Sequence, residues 1–161
     1  MIKDEDLKSS VDYSEGQKRA AHKVLVELVN IFQEYEEEVR VEAERPDGAI
    51  DVANVSVVAV VPYIIMKTAA MGRGKAKDAY DIYFIIKHYA GGVKELAKEF
   101  ELVKGKNIVL EAKEKLAGKF ASENHAGPKD VADFLDLDDE DSIEMTKRDT
   151  YEQMQALLGM I

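Results

Sequence analysis

The sequence contains no cysteine and no tryptophan, and only three of its 161 residues are proline. Without cysteine, the chain has neither disulfides nor thiolate-bound metals, which fits a reducing compartment. No apolar run reaches membrane-spanning length, and the start MIKDEDLKSS lacks the basic-then-apolar order of a signal peptide. We therefore expect a cytoplasmic protein that does not interact with a membrane.

Basic residues are also scarce relative to acidic ones. The 22 Lys and Arg residues against 32 Asp and Glu give a formal net charge of −10. Phosphate contacts need clustered Lys and Arg, so we expect no extensive nucleic-acid surface. The compact basic patch of the sequence comprises Arg73, Lys75 and Lys77.

The residues that are present are typical of a folded domain. Apolar residues make up 46 % and charged residues 34 % of a chain long enough to bury a sizeable core. We predict a single domain over residues 1–161, with flexible residues at 1–13. Ser14 and Gln17 form a capping box before an amphipathic pattern, which predicts an N-terminal helix over residues 14–38.

The next segment is predicted to form a β-hairpin over residues 39–61. Apolar and charged residues alternate from Val39 to Glu44, and the turn Arg45–Gly48 has proline and glycine where a type I turn favours them. Residues 62–161 are predicted to be helical, with Pro62 at the first position of the first helix and Gly72 at its end. The expected fold is α+β and mostly α, with a small hairpin packed against a bundle of about five or six helices.

The stretch from Pro62 to Tyr89 organises the chain. It places Lys67 on an apolar helix, then a basic break at Gly72–Lys75, then Asp78 and Asp81 one turn apart on the next helix. A cation and two carboxylates therefore lie near a helix junction. The same pattern is also typical of two packed helices joined by a solvated turn.

Other motifs in the sequence do not indicate a competing site. The acidic run over residues 136–147 resembles a calcium loop, but Asp141 stands where glycine is needed and Lys147 where glutamate is needed. The three histidines are far apart, and Walker, nucleophile-elbow and dinucleotide-binding motifs are missing. We predict no metal site from these residues.

The stretch VVAVVPYIIMKTAAMGRGKAKDAYDIYFII resembles the second half of the AbiEii/AbiGii-type nucleotidyltransferase-like family, whose members include toxins of toxin–antitoxin and phage-abortive systems. That family shows a strand, a helix with a lysine, a basic turn and then (K/R)-D-x-x-D on the next helix. The matching positions are Lys67, Arg73, Lys77, Asp78 and Asp81. The segments KVLVELVNIFQEY and KFASENHAGPKDVADFLDLDDEDS are similar too, so the resemblance covers roughly three quarters of the chain.

The resemblance implies roles for these positions. Lys67, Asp78 and Asp81 correspond to catalytic positions, and Lys67, Arg73 and Lys77 to nucleotide-binding positions. If activity remains, the implied cofactors are Mg²⁺ and a nucleoside triphosphate.

The chain departs from the family's pattern where the catalytic core belongs. Nucleotidyltransferases of this type open with a Gly-Ser or Gly-Thr turn, followed by a D-x-D carboxylate pair that holds Mg²⁺. This sequence passes from Glu36–Glu38 to the Arg45–Gly48 turn with neither feature. We therefore expect a truncated, catalytically degenerate nucleotidyltransferase-like fold that acts as a binding or interaction module with residual nucleotide binding.

Two alternatives stay open. In the first, the protein is an active nucleotidyltransferase that another chain completes. In the second, it is a structural or regulatory helical partner in a toxin–antitoxin-like system. The missing carboxylates disfavour turnover but do not decide whether the protein is an enzyme. Loss of half a fold would uncover apolar surface on the strand Val55–Val61 and on the helix after it, so we also expect a homodimer or docking onto a protein partner.

Overall fold

The structure is a computed structural model that describes residues 36–161. Before residue 36 the described residues are helical, and they are Arg19, His22, Val26, Val29, Asn30, Gln33 and Glu34. The predicted flexible segment 1–13, and the rest of the predicted N-terminal helix up to residue 35, lie outside the described residues.

Two antiparallel strands, β1 (Glu36–Glu44) and β2 (Ile50–Val58), pair over their full lengths. In the turn between them the Arg45 N–H donates to the Ala49 carbonyl at 2.8 Å, and the Gly48 N–H donates to the Arg45 carbonyl at 2.9 Å. Gly48 has a φ of 80°, which favours glycine. The predicted hairpin and its turn are confirmed.

The predicted limits of the hairpin, residues 39–61, are both wrong by a few residues. β1 begins at Glu36 because Glu36–Glu38 pair with the end of β2, and a helix reaching residue 38 would break that pairing. At the other end Val60 and Val61 belong to a helix. Their β-branched side chains favour strands, but Val61 is buried in the helical core, and tertiary packing outweighs that weak preference.

In the described part of the chain, six α-helices follow the hairpin. They are α1 (Val60–Ala70), α2 (Ala76–His88), α3 (Val93–Glu101), α4 (Asn107–Lys119), α5 (Ala126–Leu135) and α6 (Glu140–Leu158). The predicted fold class, α+β and mostly α with one small sheet, is confirmed. None of these helices is long and apolar enough to cross a membrane.

The junction between α1 and α2 differs from the prediction in detail. Pro62 is the third residue of α1, where its missing N–H still costs nothing because the first four N–H groups of a helix have no acceptor within it. The chain then forms a short 3₁₀ turn over Met71–Arg73, so the helical path ends at Gly74 and not at Gly72. Gly74 has a φ of 72°, a conformation that side chains disfavour.

Helix α2 lies at the centre of the helical body and packs against α1, α5 and α6. Its apolar stripe of Ala79, Ile82, Tyr83 and Ile86 is buried in the core. The other helices complete the core with side chains that are almost fully buried: Ile64 and Ile65 in α1, Leu96 in α3, Leu116 in α4, Val131 in α5, and Met154 and Leu157 in α6. The apolar side of α1 is therefore covered, contrary to the expectation that this helix would be left exposed.

Candidate functional site

The tight junction between α1 and α2 sets the position of the predicted site. Lys67 lies in the last turn of α1, and Asp78 lies in the first turn of α2. Because the chain reverses within a few residues around Gly74, the end of α1 faces the start of α2. The predicted site residues Lys67 and Asp78, which lie on two separate helices, are therefore in contact.

The Lys67 ammonium lies between two carboxylates. Its Nζ atom is 3.0 Å from Asp78 Oδ1 and 2.6 Å from Asp81 Oδ2. Only 17 % of the Lys67 side chain is exposed, against 6 % for Asp78 and 11 % for Asp81. This group, together with Lys77 and Arg73 described next, is called the Lys67 cluster below.

Two exposed cations lie on the outer side of the cluster. Lys77 Nζ is 2.7 Å from Asp81 Oδ1, and Arg73 Nη2 is 3.9 Å from Asp78 Oδ2. The Asp78 Oδ2 atom is buried and accepts no hydrogen bond from the described residues. The structure thus brings all five predicted positions together, while their catalytic and nucleotide-binding roles remain predictions.

Lys67 and Asp81 both keep their charges at neutral pH. The hydrogen bond to Asp81 raises the pKa of Lys67, and it outweighs burial, which acts in the opposite direction. Burial acts to raise the pKa of Asp81, but hydrogen bonds from Lys67 and Lys77 outweigh it, so the pKa of Asp81 lies below its usual value. Lys67 therefore stays protonated and Asp81 stays ionised when the pH varies around neutrality.

An open pocket of about 540 Å³ adjoins the cluster at Asp81. Its lining comes from the base of the hairpin, α1 and α2, and consists of Glu37, Val58, Val60, Tyr63, Tyr80, Asp81, Phe84 and Ile85. The Tyr63 hydroxyl lies 3.5 Å from Asp81 Oδ2, and the Tyr63 ring centroid lies 5.6 Å from Lys67 Nζ. The pocket therefore shares one wall with the cluster.

The aromatic residues Tyr63, Tyr80 and Phe84 are not among the predicted site residues. Tyr63 precedes Lys67 by four positions, which puts both side chains on the same face of α1. Tyr80 and Phe84 are four positions apart on α2 and flank Asp81, and their ring centroids are 5.9 Å apart. The spacing would have revealed these residues, whereas Glu37 reaches the pocket through the pairing of the hairpin and carries no local signal.

The described residues do not fit a Mg²⁺ site. Mg²⁺ takes oxygen ligands, usually one or two carboxylates together with waters and phosphates. The carboxylates of Asp78 and Asp81 are both bonded to the Lys67 ammonium, and with Lys77 and Arg73 three positive charges already surround these two negative ones. No group of three acidic or histidine side chains arranged to hold a metal occurs among the residues that the structure describes.

A second ion-pair group links α2 to α6. Lys87 Nζ is 2.8 Å from Asp149 Oδ2 and 2.8 Å from the Tyr83 hydroxyl, which also donates to Asp149. The hydrogen bond to Asp149 raises the pKa of Lys87. Burial, followed by the contact with Asp149, raises the pKa of Tyr83. This group is called the Lys87 cluster below.

Comparison with known proteins identifies the family. No curated protein and no solved structure matches the chain. A family model described as "Nucleotidyl transferase AbiEii toxin, Type IV TA system" matches residues 7–159, which is nearly the whole sequence. The match includes the hairpin, both helices of the site and the helices that enclose them. The chain belongs to the AbiEii nucleotidyl transferase toxin family.

Proposed function

We propose that this protein binds a nucleoside phosphate beside the Lys67 cluster and does not complete nucleotidyl transfer with its own residues. In this proposal the chain serves as a binding or interaction module in a toxin–antitoxin context. Membership of the AbiEii family supports the class of ligand. The observation that carries the proposal is the junction of an aromatic pocket with a lysine–aspartate cluster at Asp81.

The pocket suits a nucleoside. Its volume of about 540 Å³ lies within the range of ligand pockets, roughly 300–1,000 Å³. The rings of Tyr63, Tyr80 and Phe84 offer apolar faces on which a base can stack, and the side chain of Phe84 is 48 % exposed. The Asp81 carboxylate in the same wall accepts a hydrogen bond from a ribose hydroxyl or an exocyclic amine.

The phosphate is assigned to the exposed cations at the rim. The side chains of Lys77 and Arg73 are 60 % and 66 % exposed, so their charges are available to a ligand. Lys67 is enclosed by its carboxylates, and in this arrangement it neutralises Asp81 so that an anion can approach. Lys67 therefore holds the site together, and the rim cations make the phosphate contact.

In this proposal the protein does not catalyse nucleotidyl transfer, because the site lacks the groups that the reaction needs. Phosphoryl chemistry depends on groups that stabilise charge on the equatorial and leaving oxygens, chiefly Mg²⁺ held by carboxylates. Both carboxylates of the cluster are bonded to Lys67, and the sequence has no Gly-Ser or Gly-Thr turn. The described residues can orient a nucleotide but lack this dominant stabilisation.

Calorimetric titration with ATP, GTP, CTP and UTP, with Mg²⁺ and with a chelator, tests the proposal. We expect saturable binding that persists in the chelator. Lys77→Ala should weaken the binding about tenfold, equivalent to about 1.4 kcal/mol. Lys87→Ala is the matched control, because it removes an exposed lysine of the same helix, α2, whose partner Asp149 lies on α6 away from the pocket. Equal binding by the two variants, or no binding by the wild type, would refute the proposal.

A second candidate is a purely structural cluster that closes the helix junction. It is favoured by one observation: the Lys67 ammonium already contacts two carboxylates without any ligand. In that case Asp81→Asn lowers thermal stability while no nucleotide gives a binding signal at any concentration. Binding by the wild type that is lost in Asp81→Asn, in a variant that still unfolds cooperatively, separates the two candidates.

A further inference from the structure

The hairpin differs from the rest of the described chain in its exposure. Every residue of β1 is exposed, and in β2 only Val58 is half-buried. No hairpin residue belongs to the buried apolar core. Two-stranded hairpins are marginally stable by themselves, and three or more strands or a packed face are needed for stability. The hairpin therefore lacks stabilising partners within the described residues.

One face of the hairpin is apolar. Paired residues point to the same side of a sheet, so the pairs Val39–Val55 and Val41–Ala53 share a face. The exposed fractions of Val39, Val41 and Val55 are 40 %, 46 % and 42 %. The opposite face is mostly polar and includes Glu38, Arg40, Glu42, Asn54 and Ser56.

The two edges of the hairpin differ in charge. β1 reads EEEVRVEAE, with five glutamates and one arginine, whereas β2 reads IDVANVSVV and carries a single charge, Asp51. Charged side chains protect an exposed strand from pairing with other chains, and an uncharged edge is open to such pairing. In the described part of the chain no third strand lies beside β2. The edge of β2 is thus the one suited to accept another strand.

β2 is complementary to itself. In an antiparallel pairing over its full length, Asn54 lies opposite its own counterpart, Ala53 opposite Val55, and Asp51 opposite Val57. The apolar faces then continue into each other, and no like charges face one another. The backbone geometry agrees. The Arg45–Ala49 bond and the alternation of antiparallel pairs direct the N–H and C=O groups of Asn54 to the outer edge.

We propose that the protein forms a two-fold symmetric dimer in which β2 pairs antiparallel with β2 of a second copy. The product is a four-stranded sheet with on the order of ten new backbone hydrogen bonds, two for each hydrogen-bonded pair. The glutamate-rich β1 strands become the outer edges and stop further addition, so the contact closes as a dimer. This inference is independent of nucleotide binding.

Two proline variants at one cross-strand pair test the proposal. Asn54 and Arg40 face each other, and each directs its N–H to an outer edge, where proline is tolerated. Sedimentation analysis of the wild type at micromolar concentration should give twice the 18.0 kDa chain mass. Asn54→Pro should give the monomer mass and Arg40→Pro the dimer mass. A monomeric wild type, or a dimer lost only in Arg40→Pro, would overturn the proposal.

Cross-linking provides a measurement that does not depend on a disruptive variant. The chain has no native cysteine, so a single introduced cysteine reports one contact. Cα atoms of a hydrogen-bonded antiparallel pair are about 5.5 Å apart, within the range of about 4.4–6.8 Å that disulfides accept. Oxidation should convert Asn54→Cys into a covalent dimer and leave the control Arg40→Cys uncoupled. Equal yields from the two variants, or none from Asn54→Cys, would contradict the β2 contact.

Discussion

Helix α2 carries two ion-pair clusters that differ in composition and in setting. In the Lys87 cluster one lysine meets one aspartate with a tyrosine hydroxyl between them, and the Lys87 side chain is 42 % exposed. In the Lys67 cluster a half-buried lysine meets the buried Asp78 and the half-buried Asp81, and two exposed cations lie outside them. The first joins α2 to α6, and the second joins α2 to α1 beside a pocket.

The Lys67 cluster has features that helix packing does not require, whereas the Lys87 cluster does not. A one-to-one pair at a half-exposed helix interface is enough to hold two helices, and it contributes about 0–1 kcal/mol. Burying a second carboxylate adds a desolvation penalty that helix packing does not need. The extra aspartate, the exposed cations and the aromatic pocket occur together at the Lys67 cluster. This coincidence is why we assign ligand binding to that cluster and a structural role to the other.

The largest contrast is expected from replacing the two lysines. Lys67→Met leaves the buried Asp78 and the half-buried Asp81 without the lysine between them, although Lys77 still contacts Asp81, and should lower the free energy of unfolding by about 3 kcal/mol. Lys87→Met, at the half-exposed cluster, should lower it by about 1 kcal/mol or less. Urea denaturation of both variants at pH 7 measures the difference. Similar losses in the two variants would show that the clusters are equivalent.

Asp81→Asn should separate stability from binding. The variant keeps the Lys67–Asp78 pair, so we expect a loss of about 2 kcal/mol in unfolding free energy, the value of a hydrogen bond to a charged group. Nucleotide affinity should fall at least tenfold, because the neutral amide accepts a weaker hydrogen bond from the ligand than the Asp81 carboxylate does. Calorimetric titration beside Asp149→Asn checks this, since that control should bind as the wild type does. Unchanged affinity in Asp81→Asn would show that the pocket is not the nucleotide-binding site.

A smaller difference is expected in how the free energy of unfolding falls at acidic pH in the wild type and in Asp81→Asn. Burial acts to raise the pKa of Asp81 and of Asp149, but lysine hydrogen bonds lower both in the folded state. A lowered folded pKa gives stability that is present above the unfolded pKa, about 3.9, and is lost as the pH falls through the folded pKa. Urea denaturation between neutral pH and pH 2 should therefore show a decline that begins near pH 4. The decline should be shallower in Asp81→Asn, and an unchanged profile would contradict the assignment.

The smallest effect is expected at Tyr83. Tyr83→Phe removes the hydroxyl between Lys87 and Asp149 but leaves their ion pair, so the unfolding free energy should fall by about 1 kcal/mol. Nucleotide binding should not change, because Tyr83 does not line the pocket. Thermal unfolding and a titration of the same sample measure both effects. Weaker binding in this variant would indicate that the two clusters communicate.

The sequence was sufficient for the main elements and for the members of the Lys67 cluster. Helical spacing placed Lys67 and Asp78 on consecutive helices, and the glycines between them implied a sharp reversal. The turn at Arg45–Gly48 predicted the hairpin. These features are local, so the residues near one another in the chain determine them.

The remaining features depend on contacts between distant residues. The start of β1 at Glu36 follows from pairing with Val58, and local preference alone extended the preceding helix too far. The burial of Asp78 and the wall formed by Glu37 result from how α1, α2 and the hairpin meet. Helical spacing could have indicated the aromatic residues, but spacing within one element carries no information on how they and Glu37 assemble into a pocket.

The most direct test of the central claim is a titration of ¹⁵N-labelled protein with ATP in the presence of a metal chelator, followed through backbone amide chemical shifts. Binding beside the Lys67 cluster predicts saturable shifts centred on Tyr63, Lys77 and Asp81. The amides of Lys87 and Asp149 serve as the internal control and should not move. Shifts centred on the Lys87 cluster, or no saturable shift anywhere, would contradict the claim that the Lys67 cluster is the ligand site.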